Sequence, residues 1–193
     1  MAASYNEKII YGFSKIHLAK WNAVTKTYDT PVPVLGAKNV EVSYEISENK
    51  ISADNRTVWA NNLIASGSGT LEVLGLTVDE KALLFGTENY SGGFAMGSNT
   101  AMPQFALLFQ QEKADGGQIL HCIYNVSFAP AGISCQTLED GQIEETTESL
   151  EFTSILGENG FFFYSFDTKD TKADSNIAKQ WFQAVQEPQE LED

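Results

Sequence analysis

Residues 39–46 read Asn-Val-Glu-Val-Ser-Tyr-Glu-Ile, and this stretch limits the fold more than any other. Val40, Val42, Tyr44 and Ile46 fall on one side of an extended chain, Glu41, Ser43 and Glu45 on the other. A helix would scatter both sets around its axis. A strand with one buried and one wet face keeps them apart. A long polar segment, residues 47–62, follows and carries Ala53-Asp54-Asn55. An acid-faced strand beside an extended polar arm describes a sheet that presents a surface, not a pocket that performs chemistry.

The rest of the chain also reads mostly as strand. Residues 16–21 mix β-branched and aromatic side chains and lead to a turn at 22–29. Pro31 and Pro33 mark an edge segment, since proline cannot donate to a central ladder. Residues 50–53 and 56–60 are weaker extended pieces inside the arm. Residues 66–73 start glycine-rich and end in alternation. Thr77 or Asp79 can cap a short helix with Ala82, Leu83 and Phe85 on its apolar side, and Gly86 stops it. Residues 87–100 read as a loop. Residues 104–110 and 119–128 read as a strand pair joined across Asp115-Gly116-Gly117. Two further extended pieces, 142–154 and 161–166, precede an amphipathic segment at 175–185. That segment spaces Ile177, Trp181, Phe182 and Val185 for a helix, and residues 187–193 read as a frayed acidic tail. No linker divides the composition. The expectation is a single domain over 1–193, mainly β, a β-sandwich or open barrel with a short inserted helix and a C-terminal helix.

Charge narrows the function. Twenty-six acidic residues face twelve basic ones, a net charge of -14, and the basic residues form no run. Groove-type nucleic-acid binding needs clustered Lys and Arg, so it is not expected. Cys122 and Cys135 are too few for a disulfide scaffold and lack metal-ligand spacing. Residues 1–8 lack the pattern of a signal peptide, and no apolar run is long enough for membrane anchoring.

Catalytic and metal sites are not expected. His121 and Cys122 are neighbours on a strand and point to opposite faces, a poor geometry for a nucleophile and base. Gly67-Ser68-Gly69 lacks the full nucleophile-elbow spacing. The loop from Gly92 to Gly97 has no P-loop ending. No cofactor motif is present. Trp21, Trp59 and Tyr90 could stack sugars, which keeps a carbohydrate-binding β-sandwich as an alternative, or they could pack in a core or interface. A carboxylate-pair hydrolase is a third possibility without a defining motif.

The acidic face recurs. Ser68, Thr70 and Glu72 share a side opposite Leu71 and Val73. Thr147, Ser149, Glu151 and Thr153 share a side opposite Leu150 and Phe152. An ordinary solvated sheet face accounts for each strand alone. Solvated faces usually mix charge signs, however, and lysine is a common guard at strand edges. A face of hydroxyls and carboxylates repels phosphates.

The chain resembles the major tail, or tail-tube, proteins of long non-contractile-tailed bacteriophages, especially those of Gram-positive hosts. The resemblance is carried by Tyr11-Gly12-Phe13-Ser14-Lys15-Ile16-His17-Leu18-Ala19 and by Pro31-Val32-Pro33-Val34-Leu35-Gly36-Ala37. The strand 40–46 with Ala53-Asp54-Asn55 adds to it, as does Gly69-Thr70-Leu71-Glu72-Val73 leading into a helix. It rests on the order of soft motifs across nearly the whole chain. Some relatives look longer, with an added immunoglobulin-like domain, and this chain resembles a minimal tube subunit.

The resemblance implies a β-sandwich with a flanking helix, related to the type VI secretion tube protein. It implies a non-enzymatic virion protein, assembled in the host cytoplasm into stacked homo-hexameric rings. Genome DNA would pass non-specifically through the lumen. A tape-measure protein and a tail terminator are the implied partners. Carried onto this sequence, Glu41, Ser43, Glu45, Thr70, Glu72, Thr147, Ser149, Glu151 and Thr153 become candidates for the lumen wall. Asp54, Asn55, Arg56 and Trp59, on the arm 47–62, become candidates for contacts between subunits or rings. The N-terminus and the loop 87–100 are secondary contact candidates.

Overall fold

The structure, a computed structural model, describes residues 4–132 and 147–189. The sequence-based expectations for Cys135, for residues 142–146 of the penultimate extended piece and for residues 190–193 of the tail lie outside the described residues.

The protein is mainly β. In chain order the elements are α1 (Tyr5–Lys8), β1 (Ile10–Asn22), β2 (Thr27–Tyr28), β3 (Val32–Pro33), β4 (Ala37–Ala53) and β5 (Arg56–Val73). Then follow α2 (Val78–Phe85), β6 (Asn89–Tyr90), β7 (Gly93–Phe94), β8 (Phe105–Lys113), β9 (Gln118–Phe128), β10 (Glu148–Ser154), β11 (Phe163–Asp167) and α3 (Ser175–Gln180). Hydrogen bonding joins nine of the strands into one antiparallel sheet in the order β2-β1-β8-β9-β10-β5-β4, with β3 on β1 and β11 on β9. The sheet curls until β1 comes into contact with β4. Its concave side holds the larger core. Ile16, Leu18, Leu71, Val73, Phe105, Leu107, Phe109, Ile123, Val126, Phe128, Leu150 and Phe152 meet there, with Leu84 and Phe85 of α2 as a lid.

Alternation along β8 explains why that strand has no wet face. Phe105, Leu107 and Phe109 enter the concave core, while Ala106 and Leu108 enter a second one on the convex side. That second core is closed by the C-terminal segment. Trp181 is fully buried against Tyr164 and Phe166, at ring separations of 5.3 and 5.9 Å. Ile177, Phe182 and Val185 pack around it. The amphipathic spacing thus marks the residues that dock, although regular helix covers only Ser175–Gln180, started by the Asp174 carboxylate accepting from the Asn176 N–H.

Local chemistry sets the other boundaries. Thr77 caps α2: its hydroxyl accepts from the Glu80 N–H, and the Glu80 carboxylate accepts from the Thr77 N–H. This reciprocal box satisfies two otherwise unpaired donors. Gly86 ends the helix at φ 66°, a left-handed conformation that glycine takes at little cost. Leu84, not Leu83, is the fully buried leucine of this helix. The expected loop 87–100 contains the small hairpin β6–β7. Among the described residues, no helix is long and apolar enough to cross a membrane.

Candidate functional site

The strands β4, β5 and β10 lie side by side, and their registers bring the acidic and hydroxyl residues into rows. Glu41 pairs with Thr70, which pairs with Glu151. Asn39 pairs with Glu72, which pairs with Ser149. Ser43 pairs with Ser68, which pairs with Thr153, and Thr153 pairs with Ser127 of β9. Glu45 pairs with Ser66. Directly paired residues share a face, so all of these side chains are on the convex side, and Thr147 is exposed immediately before β10. Eight of the nine residues singled out in sequence are therefore brought to one surface, and Thr147 is unpaired at its border. No lysine or arginine stands at any of the paired positions.

The same strands are buried on their other side. Leu71, Val73, Leu150 and Phe152 are in the concave core, and Val40 and Val42 pack against it. Gly67 and Gly69 occupy that side between larger neighbours. A Cβ on Gly69 would sit on the Glu41 carbonyl oxygen and 2.5 Å from the Phe152 ring; one on Gly67 would lie 3.2 Å from both Tyr44 and Ser154. The Gly-Ser-Gly run thus makes room for rings lying across β5 and is not part of a nucleophile elbow. On the convex face the polar groups bond to one another. The Ser43 and Ser68 hydroxyls are 3.2 Å apart, Ser66 Oγ donates to Glu45 Oε2 at 3.1 Å, and Asn39 Nδ2 donates to Glu41 Oε1 at 3.3 Å.

Beyond Glu45 the pair β4–β5 leaves the body. It stays hydrogen-bonded from Ile46↔Ile64 to Ala53↔Arg56, while β10 pairs with β5 only as far as Gly67. All residues 46–65 are exposed. The polar arm is thus a two-stranded hairpin, eight residues deep on the β4 side, or roughly 27 Å at the usual rise per residue. Asp54 and Asn55 form its turn at φ 51° and 57°. Two successive left-handed residues match the twist of a hairpin, and Asp and Asn tolerate that region best after glycine. Arg56 closes the last pair and Trp59 faces Ile51. All four arm residues chosen from sequence therefore sit at or near the tip.

The remaining candidates for chemistry are dispersed. His121 stacks on Phe109 at 4.8 Å, with Gln111 Oε1 at 3.1 Å from Nε2 and Ser165 Oγ at 2.8 Å from Nδ1. These groups line a cavity of about 300 Å³ under Val42, Tyr44 and Phe163. Burial lowers the His121 pKa and pushes the Tyr44 hydroxyl up to about 12. Among the described residues no carboxylate orients the imidazole there; its partners are a carboxamide and a hydroxyl. Cys122 points the other way, into the second core, where burial raises its thiol pKa. Among the described residues, no group of three His, Cys, Asp or Glu is placed to hold a metal ion. Trp21 packs edge-on against Tyr28 at 4.8 Å, Trp59 is on the long hairpin and Tyr90 on the short one. No ring contact joins these three among the described residues.

Sequence reasoning missed Ser127 and the hairpin. Ser127 joins the polar row because Asn125, at φ 46°, shifts the phase of β9 between Tyr124 and Val126; no local pattern announces such a bulge. The hairpin did have a signal, the Asp-Asn pair between two extended runs.

No family model matches the sequence, and no curated protein matches it. Among solved structures, the fold is similar to a chain in the cryo-EM structure of the anti-feeding prophage cap, described as the AFP tube terminating cap. The likeness covers 86% of this chain and 93% of that one at 9% identity, with a TM-score of 0.42. A likeness at that level carries no functional weight.

Proposed function

We propose that this protein is a structural subunit of a bacteriophage tail tube, built as stacked hexameric rings, with no catalytic role. The observation that carries the reading is the convex face of β4, β5 and β10. Eight of the nine residues picked from three separate sequence stretches converge on it in register, and it bears four glutamates, Glu41, Glu45, Glu72 and Glu151, with no basic residue in the rows. As a lumen wall this surface repels phosphates, so DNA slides through without binding. The sequence resemblance to tail-tube proteins supplies the assembly, and the exposed hairpin supplies a segment able to reach a neighbour. A tape-measure protein in the lumen and a terminator at the tube end are the implied partners, and the virion tail is the implied location.

Negative-stain microscopy of the concentrated protein tests this directly. Rings or tubes of uniform bore are expected; particles that remain strictly monomeric would rule the proposal out. The lumen assignment has its own test. Changing Glu41, Glu45, Glu72 and Glu151 together to Lys leaves assembly possible but makes the tube retain DNA in a gel-shift assay. A variant that releases DNA as freely as the parent refutes the assignment.

A further inference from the structure

One row of side chains crosses β8, β9 and β11 on the concave face: Phe109 pairs with His121, which pairs with Ser165. Beside it, Ile123 pairs with Phe163. Because the sheet curls, the inner side of β4 comes round to face these rows, and Tyr44 stacks on Phe163 at 5.2 Å. Between them lies the cavity of about 300 Å³ under Val42, Tyr44 and Phe163. Two of its wall residues, Phe163 and Ser165, are solvent-exposed, so it opens to the outside. Barrel mouths are a recurrent place for small-molecule sites.

The lining restricts what can enter. Four rings, Tyr44, Phe109, His121 and Phe163, stand around the cavity, and aromatic walls favour a flat ring. No Asp, Glu, Lys or Arg lines it. With burial holding the imidazole neutral, nothing there balances a charged occupant. Size sets a further limit. An apolar cavity of about 150 Å³ holds benzene, so twice that volume holds one ring with a few further atoms.

The polar groups are few and directional. Gln111 presents its carbonyl oxygen to His121 Nε2 at 3.1 Å; that oxygen only accepts, so the imidazole proton is on Nε2. Nδ1 is then the acceptor, and the Ser165 hydroxyl donates to it at 2.8 Å. Ser165 Oγ is left with lone pairs alone to offer an occupant. Tyr44 keeps a hydroxyl that makes no hydrogen bond to any described residue. The cavity thus offers a free acceptor and a free donor, and a neutral hydroxyl group can use either.

We propose that this cavity binds a small neutral molecule built on one aromatic ring and carrying a hydroxyl, with the ring among Tyr44, Phe109 and Phe163 and the hydroxyl donating to Ser165 Oγ. The site needs only one copy of the chain and stands apart from the tube reading.

Three probes test it on the full chain: p-cresol, toluene and p-toluate. The chain has two histidines, and the other, His17, stacks on Phe182. p-Cresol is expected to move the ring signals of His121 in proton–carbon spectra and leave those of His17 in place, with a Kd of about 1 mM or tighter. Toluene lacks the hydroxyl and p-toluate brings a charge; both are expected to bind at least about fivefold more weakly. Ser165→Ala, at an exposed position, is expected to weaken p-cresol about fivefold and leave toluene unchanged. Tyr90→Ala, on the short hairpin, should alter neither. His121 signals that stay fixed in p-cresol up to its solubility overturn the site. Toluene or p-toluate binding as tightly as p-cresol, or p-cresol binding that Ser165→Ala leaves intact, overturns the assignment of the ligand's hydroxyl.

Discussion

Lys113 Nζ lies 2.6 Å from Asp167 Oδ2, and the lysine side chain is only 4% exposed. A second carboxylate, Asp115 Oδ2, is 3.2 Å away. The cluster ties the ends of β8 and β11 to the turn after β8. Its hydrogen bond to Asp167 raises the Lys113 pKa despite burial. The Gly117 N–H, ahead of Lys113 itself, lowers that of Asp115.

Removing Asp167 leaves a buried ammonium with one partner. Asp167→Ala is expected to cost about 1–3 kcal/mol, moderated because the carboxylate is partly exposed. Lys113→Met, which removes the charge and keeps the volume, is expected to cost less than Asp167→Ala. Urea denaturation of both variants checks the order.

The same cluster sets a pH window. A raised lysine pKa contributes stability that is complete below the unfolded value, 10.5, and is lost as pH rises through the folded one. A lowered aspartate pKa contributes stability that is complete above 3.8 and is lost as pH falls through its folded value. Melting temperature should thus fall above pH 10.5, and Lys113→Met should flatten that limb.

His121 acts nearer neutrality. Burial lowers its pKa from 6.5, so below that pH the unfolded chain binds the proton more readily and stability declines. His121→Asn should show a shallower loss between about pH 6.5 and 5, measured as the denaturation midpoint against pH. Equal slopes in the two proteins would argue against a neutral, buried imidazole.

Gly69→Ala places a methyl group on the Glu41 carbonyl and against the Phe152 ring. Both β4 and β10 would have to shift, at a cost of about 2–4 kcal/mol. Gly67→Ala meets the Tyr44 and Ser154 side chains at 3.2 Å, a tight contact but with side chains that can give by a few tenths of an ångström and not with backbone, and should cost less. The comparison is made by chemical denaturation at constant m-value.

Trp181→Ala empties the convex-side core beneath the C-terminal segment. A loss of about 3–5 kcal/mol is expected, with exposure of Cys122, now fully buried, to thiol reagents. Unchanged Cys122 reactivity would show that the segment does not depend on Trp181 for docking.

Much of the local structure was legible in the sequence because its causes are local. Period-two alternation follows from backbone geometry alone, so the wet and buried sides of residues 39–44 and 148–154 could be assigned without knowing any neighbour. The capping residues of α2 and the docking stripe around Trp181 are equally short-range. The arm was read as a polar stretch with two weak extended pieces. Its strands are weak on propensity, and only pairing with each other makes them a hairpin.

The sequence by itself determined which side of each strand is acidic and that the basic residues form no run. Only the tertiary structure decided that Glu41, Thr70 and Glu151 form one row, that Ser127 joins the next, and that Ile51 meets Trp59 across the long hairpin. A strand's alternation is fixed by its own backbone. Its register and neighbours are fixed by hydrogen bonds to residues distant in the chain, and a single bulge such as that at Asn125 reverses the phase.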